Sequence, residues 1–180
     1  MKKHKICIVG GGLTGLITAL TLNKKGLDLD LIIENTKQKK KDLRVTGISE
    51  TNFDFLKSSI QNINKNLFYF IKKIKLFFKK NNQLKNFLNF DEDKNLINFF
   101  ENNLIKEHLT KLLNKTKIKV QKKTIKSIDL KENKIITKFS SKPYDLIILC
   151  LGSNSPIYKI INGSREIKKD YKERSITCRV

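Results

Sequence analysis

The stretch from Cys7 to Leu22 reads CIVGGGLTGLITALTL, and it restricts the fold of this chain more than any other feature. Three consecutive glycines separate a short β-branched run from a run of small and apolar residues at helical spacing. Residues 5–9 therefore predict a strand, and residues 13–25 predict a helix that stops at Gly26. Residues 29–33 predict a second strand, which completes a strand–helix–strand unit with two parallel strands.

The glycine turn matches the pattern Gly-x-Gly-x-x-Gly at Gly10, Gly12 and Gly15. In this pattern the first glycine allows the tight turn, the second lets a pyrophosphate approach the backbone, and the third lets the helix pack closely on the strand. Free N–H groups at the start of the helix, around Leu13 and Thr14, favour bound phosphate. The turn therefore predicts a dinucleotide site.

An acidic residue, Glu34, lies 24 residues after Gly10, at the end of the second predicted strand. A carboxylate there can accept hydrogen bonds from the 2′- and 3′-hydroxyls of an adenosine ribose. The same charge disfavours a ribose 2′-phosphate, so NADP is not the predicted ligand of this turn. FAD and NAD both fit the residues up to this point.

The net charge of +21 raises the question of a nucleic-acid partner. Only four of the 38 basic residues are arginine, and the lysines are spread over nearly every segment. Arginine is the residue suited to bidentate contacts with phosphate and guanine, so no specific nucleic-acid interface is predicted. Attraction to an anionic membrane surface is the stronger expectation.

The three cysteines, Cys7, Cys150 and Cys178, show no Cys-x-x-Cys spacing, and the chain has two histidines. This pattern predicts structural thiols in a reducing compartment and no metal site. No run of 18 apolar residues occurs, so no membrane-spanning helix is predicted. We expect a cytoplasmic protein, with peripheral contact at the inner membrane face.

The rest of the chain divides into helical and extended patterns. Residues 49–66 predict a helix capped by Ser49, and apolar residues between 104 and 113 predict another. Residues 68–100 fit either three strands of a small antiparallel lobe or one lysine-rich helix followed by loops.

Three short strands are predicted within residues 117–140, with a turn at 131–133. The continuous apolar run at 144–152 predicts a strand buried on both faces, and the last residues of the chain resemble the start of a further strand.

Five segments follow one another along the chain: IVGGGLTGLITALTL, LRVTGIS at 43–49, FFENNLIKEHL at 99–109, YDLIILCLGSNSP from residue 144, and DYKERSITCRV at the end. In this order they resemble the flavoprotein aromatic hydroxylases, especially the branch that hydroxylates the ring of ubiquinone precursors. The resemblance covers all 180 residues but only about the first half of such a hydroxylase.

The resemblance implies an α/β fold, namely a Rossmann-like FAD/NAD(P)-binding domain with a parallel sheet, a three-stranded β-meander crossover and a partial inserted antiparallel lobe. Residues 1–180 would form a single incomplete FAD-binding domain, with about 68–100 as the inserted part of a substrate lobe. FAD would be the cofactor and NAD(P)H the reductant. The implied cofactor-binding residues are Gly10, Gly12, Leu13, Thr14, Gly15, Glu34, Arg44, Asn102 and Gly152.

Two of these residues have an alternative interpretation, and the residue before Gly152 differs from the family pattern. Arg44 would reach the flavin side of the cofactor, or it is an ordinary surface arginine. Asn102 would contact FAD, or it caps its helix. Leu151 stands before Gly152 where the family has an aspartate, so the acid expected to support cofactor contacts is missing.

No Ser–His–Asp or Cys–His arrangement offers a different chemistry. The expected function is the FAD-binding portion of a flavin-dependent monooxygenase in a truncated, split or degenerate form, completed by a C-terminal half or another subunit. The alternatives are a non-catalytic nucleotide-binding or interaction module and an NAD-binding dehydrogenase domain. Catalytic residues are not assigned.

Overall fold

In a computed structural model, residues 4–34, 42–138, 140–152 and 155–161 are described. These residues form, in chain order, β1 (Lys5–Val9), α1 (Leu13–Asn23), β2 (Asp28–Ile33), β3 (Val45–Ile48), α2 (Glu50–Ser59), β4 (Phe68–Ile71), β5 (Lys73–Lys80), β6 (Gln83–Asp91), β7 (Ile97–Glu101), α3 (Asn102–Leu113), β8 (Lys119–Lys122), β9 (Ile125–Asp129), β10 (Lys134–Thr137), β11 (Ser141–Pro143), β12 (Leu146–Leu149) and α4 (Ile157–Ile161). The predicted α/β fold is confirmed.

The central sheet has the strand order β12-β1-β2-β8, and all of its described pairings are parallel. The predicted strand–helix–strand unit forms its middle, with Val9 opposite Ile32 at the end of the pair. Side chains of β1 alternate between the faces, so Ile6 and Ile8 pack on one side and Cys7 and Val9 on the other.

Helix α1 packs on the first face, and α2 and α3 pack against α1 and extend the same core, in which Leu16, Phe53 and Leu109 are almost fully buried. A three-stranded antiparallel meander of β9, β10 and β11 covers the second face together with α4. The two faces of the sheet thus have separate apolar cores, as expected for a parallel sheet.

The helix predicted over residues 49–66 is shorter in the structure. Ser49 caps α2 as predicted, because its hydroxyl accepts a hydrogen bond from the N–H of Asn52. The helix ends at Ser59, since Ile60 is extended and Asn62 takes a positive φ of 63°. Only a short 3-10 turn follows at 65–67.

The lobe at 68–100 consists of strands, so the lysine-rich helix is the wrong alternative. Strands β3, β7 and β4 form one antiparallel sheet, and β5 and β6 form a separate hairpin. Asn81 and Asn82 connect the hairpin, both with positive φ, which suits a tight turn between two twisted strands. The lobe has four strands rather than the predicted three.

The strands predicted within 117–140 are present, but they do not form one meander. β8 joins the central sheet beside β2, and the meander instead begins at β9 and gains β11 as its third strand. The turn at 131–133 is confirmed, with Asn133 at a φ of 47°.

The prediction that the run at 144–152 is buried on both faces is wrong. β12 lies beside β1 at the edge of the sheet as far as the described residues go, and Leu146 and Leu149 are exposed. The predicted strand at the end of the chain lies outside the described residues.

The helix predicted between 104 and 113 is confirmed, and Ile105, Leu109 and Leu113 form its buried side. Cys7 is buried and Cys150 partly buried, and both are free thiols, whereas Cys178 lies outside the described residues. Burial raises the pKa of the Cys7 thiol to about 12, so it is inert. No helix in the described ranges is long and apolar enough to cross a membrane.

Candidate functional site

Two glycines of the turn are required by close packing. Gly10 has a φ of +126°, and a Cβ there would lie 2.1 Å from the carbonyl oxygen of Cys150. A Cβ on Gly15 would lie 1.9 Å from the carbonyl oxygen of Gly10, because α1 sits directly against the turn. The roles predicted for these residues in shaping the turn therefore agree with its geometry.

Gly12 is different, because a Cβ at this exposed position would meet no atom within 4 Å. It is the N-cap of α1, and no side chain caps the helix. The first N–H groups of a helix have no acceptor within the helix, so those at the start of α1 face open space beside Gly12. This uncapped and open helix start fits the pyrophosphate of a dinucleotide.

Glu34 directly follows β2 and is partly exposed. The N–H of Gly10 donates to the carbonyl oxygen of Ile32 at 2.9 Å, which places the end of β2 beside the glycine turn. Glu34 therefore follows the strand end that lies beside the glycine turn, and its contact with a ribose stays a prediction.

The glycine turn, Glu34 and Gly152 lie at the carboxyl edge of the central sheet. α1 begins at this edge because it follows β1, and α3 begins there because it runs back across the sheet to the start of the parallel strand β8. The two helices pack against each other. Gly152 follows β12 at the same edge, which is where ligands bind in open α/β sheets.

Four polar residues form a cluster at the start of α3, namely Asp42, Arg44, Thr46 and Asn102. The antiparallel pairing of β3 with β7 creates it, since the N–H of Asn102 donates to the carbonyl oxygen of Arg44 at 3.0 Å. The Thr46 hydroxyl donates to Asn102 Oδ1 at 2.6 Å, and Asn102 Nδ2 donates to Asp42 Oδ2 at 3.4 Å.

The helix-capping alternative for Asn102 is wrong. Glu101 occupies the N-cap position, and the buried amide of Asn102 bonds to Thr46 and Asp42. These contacts hold the amide in one orientation beside Arg44. The prediction that Asn102 contacts FAD stays a prediction.

Arg44 is an exposed side chain held in a bidentate ion pair. Its Nε donates to Asp42 Oδ1 at 2.8 Å and its Nη2 to Asp42 Oδ2 at 2.7 Å. These bonds hold the pKa of the Asp42 carboxyl far below its usual range. They use two of the five N–H donors of a guanidinium, so the other donors can still reach a phosphate. Both interpretations of Arg44 thus remain compatible with its position.

Leu151 packs against the core under the meander. The hydroxylases that the sequence resembles have an aspartate at this position. Gly152 beside it is exposed, and a Cβ there would meet no atom within 4 Å. An apolar side chain at position 151 is therefore used for packing, and it supplies no hydrogen bond to a ligand.

The sequence analysis missed Asp42 and Thr46 as members of this site. The sequence does contain a signal for these two residues, since Asp42, Arg44 and Thr46 are spaced two apart, as residues on one face of a strand are. This spacing did not show that Asn102, 56 residues from Thr46, would join the cluster.

A second missed cluster lies on the other face of the sheet, where Asp30 is completely buried. Tyr144 donates its hydroxyl proton to Asp30 Oδ2 at 2.7 Å, and Lys142 donates to the same oxygen at 2.5 Å. Burial acts to raise the pKa of Asp30, but the hydrogen bonds from Lys142 and Tyr144 outweigh it and lower the pKa. This cluster fastens the meander to β2 and is structural.

Replacing Thr46 with valine is expected to cost about 1–2 kcal/mol of stability, because the buried Asn102 Oδ1 loses its donor. Urea unfolding of the variant measures this loss. Thr110→Val is the control, since its exposed hydroxyl only bonds back to Lys106 of its own helix. Equal stability of Thr46→Val and the wild type would show that the amide finds another donor.

Among the described residues no group of three His, Cys, Asp or Glu side chains could hold a metal ion.

Residues 3–59 match the family described as FAD binding domain. The matched segment contains β1, the glycine turn, α1, β2 and Glu34, and extends through α2. No protein with a curated description matches the chain.

The fold is similar to that of several solved structures. p-Nitrophenol 4-monooxygenase from Pseudomonas putida is 16% identical with a TM-score of 0.63, and the match covers 89% of this chain and 44% of that one. A variant of 2-methyl-3-hydroxypyridine-5-carboxylic acid oxygenase is 15% identical with a TM-score of 0.64, covering 89% and 43%. A tetracycline destructase is 17% identical with a TM-score of 0.61, covering 89% and 42%.

At these identities the likeness concerns the fold alone. The chain spans less than half the length of the solved chains that it matches.

Proposed function

We propose that this chain is the FAD-binding portion of a flavin-dependent monooxygenase. The observation that carries the proposal is the open, uncapped start of α1 at Gly12, with Glu34 beside it at the same edge of the sheet. The match of residues 3–59 to an FAD binding domain supports FAD over NAD.

Each residue of the turn has a definite task in this proposal. The N–H groups at Leu13 and Thr14 hold the pyrophosphate, and Glu34 accepts hydrogen bonds from the adenosine ribose. Arg44 and Asn102 contact the flavin side of the cofactor, with Thr46 and Asp42 fixing their orientation. Gly152 leaves space at the neighbouring strand end.

FAD, when bound, supplies the redox chemistry of a monooxygenase, with NAD(P)H as reductant and O₂ as oxidant. The protein's part is to position the cofactor and exclude water. The five-segment resemblance supports a ubiquinone-type aromatic precursor as substrate, in a cytoplasmic protein. Because the chain spans less than half of the solved monooxygenases, turnover in this proposal requires a C-terminal half or another subunit.

The test is binding of FAD to the purified chain. Flavin fluorescence and the melting temperature of the protein are the two readouts. FAD is expected to stabilise the fold, by an amount that grows with its concentration. NADH serves as the competing ligand, because an NAD-binding dehydrogenase domain would be stabilised by NADH instead. A chain stabilised by neither nucleotide would overturn the proposal and leave the non-catalytic interaction module.

Glu34→Ala is expected to weaken FAD binding about 10- to 100-fold, because the ribose loses hydrogen bonds to a charged acceptor. Titration of flavin fluorescence measures the dissociation constant. Glu107→Ala is the matched control, since this exposed acid lies in the middle of α3, away from the carboxyl edge of the sheet. Equal affinity of both variants would refute the role of Glu34.

A further inference from the structure

The β5–β6 hairpin exposes an unusual number of large apolar side chains. Seven of them are at least 41% exposed, namely Leu76, Phe77, Phe78, Leu84, Phe87, Leu88 and Phe90. The two strands pair only with each other among the described residues. Exposed apolar side chains that gather on one face of such a hairpin mark an interaction surface.

The strand register sorts these side chains onto two faces. Ile74 lies opposite Phe90 and Leu76 opposite Leu88, and a register shift then leaves Phe87 in contact with Phe78. The resulting apolar face consists of Ile74, Leu76, Phe78, Phe87, Leu88 and Phe90. The other face is mostly polar, since it carries Lys73, Lys75, Asn86, Asn89, Lys79 and Asp91 beside Phe77 and Leu84.

The hairpin is strongly basic. It contains five lysines, at positions 73, 75, 79, 80 and 85, and a single acid, Asp91. Asp91 is paired with Lys73 at 2.8 Å. Lys80 and Lys85 lie at the turn end of the apolar face, where their long stems can extend past the apolar side chains to charged groups.

We propose that the apolar face of this hairpin docks on the surface of an anionic lipid bilayer. The six apolar side chains enter the boundary between headgroups and acyl chains, while Lys80 and Lys85 at the turn end of this face contact lipid phosphates. Lying flat at this depth, the strand edges stay within reach of water and headgroups, so their backbone groups remain hydrogen-bonded.

The positive charge of the hairpin disfavours a second copy of this chain as the partner that covers the apolar face. Two hairpins with four more lysines than acids would repel each other, as would two chains of net charge +21. An anionic bilayer supplies both the apolar layer and the opposite charge. The proposal is independent of FAD, because the hairpin contains none of the residues placed at the cofactor site.

The experiment is co-sedimentation of the full chain with vesicles of phosphatidylcholine, with and without phosphatidylglycerol. Binding is expected only with phosphatidylglycerol, and about 0.5 M salt should abolish most of it by screening. Replacing Lys75, Lys79, Lys80 and Lys85 with glutamine should lower the partition coefficient more than about 25-fold, since Lys80 and Lys85 at the bilayer surface contribute about fivefold each.

A control variant removes the same charge elsewhere, with glutamine at the exposed positions Lys106, Lys111, Lys126 and Lys131. Its partition coefficient should fall by less than about fivefold, because these lysines lie outside the hairpin, and salt screens the attraction between the bilayer and charges that do not contact it. A second pair of variants compares the two faces of the hairpin. Phe87→Ser, on the apolar face, should weaken vesicle binding about tenfold, whereas Leu84→Ser, on the polar face, should leave it unchanged.

Equal weakening by the two four-lysine variants would overturn the proposal, because the attraction would then come from diffuse net charge. Failure to bind phosphatidylglycerol vesicles would overturn it too, and would indicate that a protein covers the hairpin. Light scattering measures the oligomeric state. A dimer of the wild type that is a monomer in Phe87→Ser would identify a second copy of the chain as the occupant instead. Circular dichroism of each variant confirms that it is folded, which its exposed positions favour.

Discussion

Gly15→Ala is expected to destabilise the fold by about 3 kcal/mol or more, because its Cβ would lie 1.9 Å from the carbonyl oxygen of Gly10. The position of the Cβ is fixed by the backbone of α1, and the oxygen belongs to the backbone of the turn, so relief requires α1 to move away from β1. The helix carries Leu16 and Ala19 into the core, and this packing would be lost with the movement. Thermal unfolding should show a melting temperature lower by about 10 °C.

Gly12→Ala is the matched control for this prediction. Its Cβ would meet no protein atom within 4 Å, so stability should change by less than about 0.5 kcal/mol. The same methyl group would stand in the space proposed for the pyrophosphate, and FAD affinity should fall although the protein remains folded. Two alanine substitutions three residues apart thus separate packing from binding. Equal loss of stability in both variants would contradict the structure of the turn.

Asp30→Asn is expected to cost about 2–3 kcal/mol at neutral pH, because Lys142 and Tyr144 lose a charged acceptor inside the structure. Lys142 is one-third exposed, so it can turn partly to water, which limits the loss. Urea unfolding measures the difference. Asp54→Asn, which breaks an exposed pair with Lys57, is the control and should cost less than about 0.5 kcal/mol.

The same carboxylate makes stability depend on pH. The pKa of Asp30 is lower in the folded chain than its ordinary value of 3.8, so its contribution is present above pH 3.8 and is lost as the pH falls through the folded value. Asp42, whose pKa is also lowered, adds to the same acid loss. The wild type should therefore lose more stability than Asp30→Asn below about pH 4. Parallel loss in both proteins would contradict a lowered pKa for Asp30.

Local sequence was sufficient to predict the elements around the turn. The strands, the helix and the glycine geometry follow from residues close together in the chain, and Gly10 and Gly26 have the positive φ values that their places require. The family match to residues 3–59 covers the same segment. The helix at 49–66 was predicted too long, because apolar spacing continues past Ser59 although Asn62 leaves the helical conformation.

Pairing between distant strands could not be predicted from the same information. Residues 117–123 have a strand pattern in either sheet, and only the contact of β8 with β2 places them in the central one. The run at 144–152 predicts a doubly buried strand from composition, but its exposure depends on the neighbours it has in the sheet. Such neighbours are set by long-range packing.

The sequence by itself determined the dinucleotide turn and its acid, because backbone conformation and spacing within about 30 residues specify both. Only the tertiary structure decided what surrounds Asn102 and Asp30, since their partners are 56 and more than 100 residues away. It also decided which face of the β5–β6 hairpin is apolar, because a one-residue shift in register at Leu76 places Phe87 beside Phe78. Strand pairing brings the apolar side chains of the hairpin onto one face, and this pairing cannot be derived from amino-acid composition.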